Sequence, residues 1–271
     1  MSVGVPQRRT SGFALPPLPR ANYRRAALGV TAGQIASKAP RIPWDKFLAT
    51  RFRWEPGEHV GLIGPTGQGK TTMLTALLPL HKYVAILATK PKDSTMDNLI
   101  SKHGYEKFDR WPGFLSPKDH PRRVIWPDAR RLDSEDLQEK VFTDTLARIY
   151  RTGNWTVAID ELWYFTNVLN MGGIVKTYYL QARSLDISLI AGVQRPAWVP
   201  REMYTSCTHL FFWRTNDETD LKSLSGIGAR SATLIREVVS NLDRYESLYI
   251  NTRSGQMCRV KVPKGLANDP T

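Results

Sequence analysis

The chain has only two cysteines, no long apolar run, and no acidic residue in its first 43 positions. Each shortage removes a class of protein. Cys207 and Cys258 cannot build a disulfide framework, and neither stands at a metal-ligand spacing. A reducing compartment is therefore expected. No stretch approaches the roughly 18–20 apolar residues that a membrane-crossing helix needs, so no span is expected. The early arginines are not followed by an apolar segment, which argues against a secretory signal and for a cytoplasmic protein. His59, His81, His103, His120 and His209 are dispersed and suggest no metal cluster.

The missing acids shape the first segment. Residues 1–43 hold Arg8, Arg9, Arg20, Arg24, Arg25, Lys38 and Arg41 among Pro, Gly, Ala and Ser. Low hydrophobicity with charge of one sign cannot bury enough apolar surface to offset ordering entropy. This predicts a mobile basic arm, either a tether to DNA, a partner or a neighbouring subunit, or a solvated tail. The whole chain carries +13 at a pI near 9.9, a surface that attracts polyanions, nucleic acid first. With 271 residues, 41% of them hydrophobic, residues 44–271 suffice for one α/β domain.

From Trp44 onward, strands alternate with helices. Strands are expected at His59–Ile63, Tyr83–Ala88, Arg123–Trp126, Trp155–Ile159, Ile187–Val193 and Leu210–Trp213. Helices are expected over Thr71–Leu80, Asp133–Tyr150 and Ile174–Leu185. The second has Asp133 or Ser134 as cap and a face of Leu137, Val141, Leu146, Ile149 and Tyr150. Lys90–His120 reads as an insertion or surface loop. Glu246–Ile250 and Arg259–Val262 read as a hairpin around Arg253-Ser254-Gly255. The alternation predicts a mostly parallel sheet covered on both faces, with an antiparallel C-terminal edge.

Gly64-Pro65-Thr66-Gly67-Gln68-Gly69-Lys70-Thr71 satisfies the phosphate-loop pattern G-x-x-x-x-G-K-[ST] and is followed by Thr72. It lies between an apolar strand and a helix start, where backbone N–H groups and the helix dipole can converge on an anion. Lys70 is expected on the β- and γ-phosphates of ATP, and the Thr71 hydroxyl on Mg²⁺. Thr156-Val157-Ala158-Ile159 ends in Asp160-Glu161. A metal-holding carboxylate and a general base require such a pair, Asp160 for the ion's shell and Glu161 for the attacking water. Gln194, at the tip of another apolar strand and before Arg195-Pro196, is expected to sense the γ-phosphate.

In this order the elements resemble the FtsK–HerA superfamily of P-loop ATPases. Residues 181–196, QARSLDISLIAGVQRP, carry the likeness most closely, and looser similarity runs from about Glu58 to Val262. The resemblance implies a RecA-like fold with the additional strand and the catalytic Glu. It further implies an ATPase ring, hexamer or pentamer, that pumps double-stranded DNA. An arginine from the neighbouring subunit, with Arg183, Arg195 and Arg214 as candidates, would complete each site. Lacking membrane spans and a DNA-reading domain, the chain is most similar to viral genome-packaging ATPases. A capsid vertex or portal protein then becomes a candidate partner for the arm, in the host cytoplasm or on the virion. A plasmid-transfer pump, a filamentous-phage-type assembly or secretion ATPase, and a non-motor nucleotide switch are the alternatives.

Weaker signals remain. Leu224–Arg230, with Ala232 and Ile235, looks like a helix-hairpin-helix DNA-binding turn, or else a plain helix with a leading glycine. Trp155 and Trp163 flank the acidic pair as expected core residues. Lys90 and Lys92 either face a pore or are solvated.

Overall fold

Four apolar runs in this chain are too short for helices and lack the alternation of a half-exposed strand. In the computed structural model, which describes residues 31–130, 134–224 and 231–263, each becomes a strand buried throughout. They are β1 (His59–Ile63), β2 (Val84–Leu87), β5 (Thr156–Ile159) and β6 (Ser188–Val193). Continuous burial is the mark of parallel strands covered on both faces. With β3 (Glu106–Phe108), β4 (Arg122–Ile125), β7 (Cys207–Trp213), β8 (Glu246–Asn251) and β9 (Met257–Lys261) they form one sheet. Its order is β3-β4-β2-β5-β6-β1-β7-β8-β9. The first seven in that order run parallel; β7–β8 and β8–β9 pair antiparallel. The expected sheet, mostly parallel with an antiparallel C-terminal edge, is what forms.

Helices follow the strands: α3 (Lys70–Leu77), α4 (Ser94–Lys102), α5 (Glu135–Thr152), α6 (Gly172–Gln181), α7 (Arg201–Ser206), α8 (Glu218–Ser223) and α9 (Ala232–Ser240). Two more, α1 (Ala32–Lys38) and α2 (Trp44–Thr50), precede β1. One face of the sheet packs Phe142, Ile149, Phe165 and Tyr178; the other packs Leu74, Leu77 and an aromatic cluster. Phe47 of α2 meets Tyr249 edge-on at 4.9 Å, and Phe52 stacks on Phe47 at 5.3 Å. Each buried Leu or Phe stabilises the fold by about 1.5–3 kcal/mol, and aromatic pairing adds about 0.5–1.5 kcal/mol. Through this cluster the segment before β1 is welded to the last hairpin.

The sequence reading needs correction in four places. The stretch 90–120 is not all loop: α4 starts where Asp93 caps the Thr95 and Met96 amides, and β3 pairs parallel with β4. The nine-residue α4 carries its apolar face on Met96, Leu99 and Ile100 alone, and β3 is a three-residue edge strand, so each signal is short. The buried face of α5 is Gln138, Phe142, Thr145, Leu146 and Ile149, while Leu137 is 46% exposed. Phe142 offers the largest apolar surface and turns the helix toward Phe165, 5.0 Å away. Ser134 is the N-cap residue but makes no side-chain cap bond, and Asp133 lies outside the described residues. The helices expected to reach Leu80 and Leu185 each end in a tight 3₁₀ turn, Leu78–Leu80 and Ala182–Leu185.

The end of the basic arm is taken up by the sheet. Ala39 is fully buried, Arg259 donates its N–H to the Pro40 carbonyl, and Arg41 bridges Arg259 in parallel. Of the suspected DNA-binding turn, residues 225–230 lie outside the described ones; its flanks Leu224 and Ile235 are buried in the core.

Candidate active site

Parallel strands point their C-terminal ends the same way, so whatever follows them gathers on one edge of the sheet. Here β6 lies between β1 and β5, with Ile63 opposite Val193 and Ile159 opposite Ala191. Three loops therefore start side by side. Gly64 follows β1, Gln194 follows β6, and Asp160-Glu161 follow β5. The close fit of two of these tips depends on a missing side chain. A Cβ at Gly192 would stand 2.3 Å from the Asp160 carbonyl oxygen.

The first loop turns on Gly67 and Gly69, at φ of 75° and 101°, a region L-residues rarely enter. That turn brings the start of α3 to the cleft and aims its free N–H groups inward. Lys70 is buried, and its Nζ donates to the carbonyls of Gly64 at 2.6 Å and Pro65 at 3.0 Å. Burial lowers its pKa, and the charges of Asp160 and Glu161 oppose that shift. The Thr71 hydroxyl donates to Asp160 Oδ1 at 2.9 Å. Thr66, Gly67 and Gly69 through Thr72 line a cleft of about 460 Å³ with Asp160, Glu161 and Gln194. Gly64, Pro65 and Gln68 of the loop are not among its lining residues.

Burial raises the pKa of Glu161; the amide of Gln194, which donates to Glu161 Oε2, opposes this, and the neighbouring Asp160 charge adds to it. A carboxylate pushed toward basicity and held by one amide is suited to taking a proton from water. The other oxygen of Asp160 has a partner that the sequence left undecided. Lys90, just past β2, reaches Asp160 Oδ2 at 3.1 Å and Asp93 at 3.5 Å. Burial works against the Lys90 charge, but the two carboxylates outweigh it and raise its pKa.

The three candidate arginines separate. Arg195 is held within its own chain, 3.0 Å from Asp217 and 3.4 Å from Asp220, with Trp198 beneath its guanidinium. Arg214 follows β7, exposed, on the cleft edge. Arg183 precedes β6, exposed, and its carbonyl lies beside Gly57 at the opposite edge. Six strand residues separate Arg183's edge from that of Gln194, about 20 Å at the rise of a strand. Trp155 is core, as expected. Trp163 is half-buried and faces Trp198 at 5.3 Å, which links the loops after β5 and β6.

The donor set fits a magnesium-bound nucleoside triphosphate: inward amides and an ammonium for phosphate, a hydroxyl and a carboxylate for the ion. No family model matches the chain, and no curated protein matches it in sequence. Solved structures do. B204, the DNA-packaging ATPase from Sulfolobus Turreted Icosahedral Virus, superposes with a TM-score of 0.57 at 20% identity, over 78% of this chain and 100% of its own. The genome packaging NTPase B204 from Sulfolobus turreted icosahedral virus 2, in complex with AMPPCP, gives 0.55 at 17%, over 77% and 98%. This chain shares its fold with these P-loop ATPases. The cytoplasmic domain of the Thermomonospora curvata Type VII Secretion ATPase EccC is also similar, with a TM-score of 0.52 at 14% identity. That match covers 77% of this chain but 25% of the other.

Sequence reasoning placed the loop, Asp160, Glu161 and Gln194 in one site, and the fold brings them to one cleft. It did not identify Gly192, whose role is a close approach between strands, nor Tyr245, which lines the cleft from a distant turn.

Proposed function

We propose that this chain is an ATP-hydrolysing motor that moves double-stranded DNA as a homo-oligomeric ring, packaging a viral genome. The observation that carries the reading is the convergence of Lys70, Thr71, Asp160, Glu161 and Gln194 on one cleft of a fold shared with packaging ATPases. The basic surface supports DNA as the cargo. The EccC likeness favours a secretion ATPase as second reading, but the match covers 100% of the packaging ATPase's own length and 25% of EccC's.

In this mechanism Lys70 and the loop amides bind the β- and γ-phosphates. Thr71 and Asp160 would hold Mg²⁺, which would neutralise charge on the phosphate oxygens. Lys90 must share or release Asp160 as they do so. Glu161 takes the proton of the attacking water, and Gln194 keeps that carboxylate aimed into the cleft. Arg195 and Ala197 tie the Gln194 loop to Asp220 of α8, so a shift of Gln194 is passed to that helix. We assign Arg183, too far from its own cleft to act there, as the arginine that enters a neighbour's. A capsid vertex or portal protein is the partner we assign to the basic arm, in the host cytoplasm.

The test is ATPase rate with and without duplex DNA across a salt series, alongside mass determination with an ATP analogue. Stimulation that fades steeply with salt, in an assembly of five or six chains, is expected. A monomer whose turnover ignores DNA at low salt overturns the motor reading and leaves a nucleotide switch.

A further inference from the structure

Among the described residues, Tyr245 is the aromatic side chain that lines the cleft, and its position is fixed by its neighbours. Because β8 runs antiparallel to β7, its first residues lie beside the last residue of β7, with Ser247 opposite Trp213. The turn before β8 therefore falls on the same edge as the phosphate loop. A Cβ built on Gly69 would touch Tyr245 Cδ1 at 3.6 Å, so the ring stands against the loop's last glycine.

Tyr245 has φ of 64°, left-handed backbone that a bulky side chain enters only under constraint. The constraint is on both sides of it. Arg41 donates to Asp243 at 2.6 Å and to Glu246 at 2.7 Å, and Glu246 accepts from the Asp243 N–H at 3.1 Å. Leu242 is buried beneath the turn. Despite this bracing the ring is not a packing residue, since the residue remains 38% exposed. Exposed Arg244 lies over the ring at 4.8 Å and exposed Lys261 at 5.7 Å from its centroid. A flat guanidinium over the ring is the geometry that a nucleobase would adopt in its place.

We infer that Tyr245 is the stacking platform for the base of the bound nucleotide, and that it takes adenine and guanine alike. This deepens the proposed ATP site and rests on it. Stacking is indifferent to the edge of the base, because every base has a π-face. The helix residues that continue the cleft from Gly69, Thr72 and Thr75, present hydroxyls, and that of Thr75 is already donated to the Thr72 carbonyl. Base choice needs a matched donor and acceptor. The platform therefore anchors the nucleotide without choosing it.

The experiment measures dissociation constants of ATP, GTP and inorganic tripolyphosphate, with Mg²⁺ in the buffer, for the full chain and three variants. Tyr245→Asn keeps a residue that tolerates left-handed backbone while removing the ring. Tyr245→Ala removes the ring without that tolerance, and Tyr245→Phe keeps it. The Asn and Ala variants should bind ATP and GTP about tenfold more weakly, with tripolyphosphate unchanged and Phe within about twofold of the parent. Unchanged ATP affinity in Tyr245→Asn overturns the platform, as does an equal loss for tripolyphosphate, which would mark a merely structural residue. A parent chain that binds GTP far more weakly than ATP overturns the lack of base choice. If the parent binds neither nucleotide nor tripolyphosphate, the phosphate-loop reading itself has failed.

Discussion

Glu161→Gln separates chemistry from binding in this cleft. The substitution preserves shape and keeps an oxygen for the Gln194 amide to donate to, so the loop after β5 should not move. What disappears is the base. Proton transfer by a positioned side chain is worth about 10²- to 10⁴-fold, and a hundredfold loss is about 2.7 kcal/mol at the barrier. Binding should survive, because Lys70, Thr71 and Asp160 are untouched. Stability supplies a control with its own sign. Burial raises the folded pKa of Glu161 above its ordinary value. Its contribution is therefore favourable at pH below the ordinary carboxylate pKa and is lost as pH rises through the folded pKa. At neutral pH the charged Glu161 burdens the nucleotide-free fold, so Glu161→Gln should melt no lower than the parent. Any advantage should vanish as pH falls into the carboxylate range. Single-turnover hydrolysis, ATP binding and melting at two pH values form the assay. Hydrolysis within tenfold of the parent refutes the base assignment. Binding lost in step with hydrolysis would make Glu161 a ligand holder.

Lys70→Ala should remove measurable ATP binding and turnover together, read by calorimetry and phosphate release; parent-like turnover would exclude this loop as the site. Gly192→Ala forces a methyl against the Asp160 carbonyl, so it should cost about 1–3 kcal/mol in chemical denaturation and displace the acidic pair. A silent Gly192→Ala would mean that β5 and β6 can separate at their tips. Arg183→Ala should leave ATP binding intact and cut turnover by about 10³-fold or more. Mixed with Glu161→Gln chains, it should regain part of that activity, whereas no recovery in mixtures would argue against action across a subunit boundary.

The parts of this molecule that were legible in the sequence are those fixed by local chemistry or by continuous burial. The phosphate loop announces itself because only glycine tolerates φ near 100° next to an anion. The strands β1, β5 and β6 announce themselves because both faces are covered, so that after a polar first residue (His59, Thr156 or Ser188) each run is wholly apolar. Since their order in the sheet follows the parallel architecture, the meeting of Thr71 with Asp160 was foreseeable. Contributions from the sheet's far end were not. Arg41 looked like one more charge in a basic tail, yet it braces the turn of Tyr245 against Asp243 and Glu246. Its partners lie about two hundred residues away, and no spacing rule spans such a distance. Lys90 is similar, since its meaning depends on β2 lying beside β5, which brings its ammonium to Asp160. Both cases involve a long cation whose role is decided by which strand tip it faces. In a chain of net charge +13 such cations are too numerous to sort by sequence. The acids are fewer, so the more efficient route into a basic ATPase starts from each buried or cleft carboxylate and asks which cation answers it.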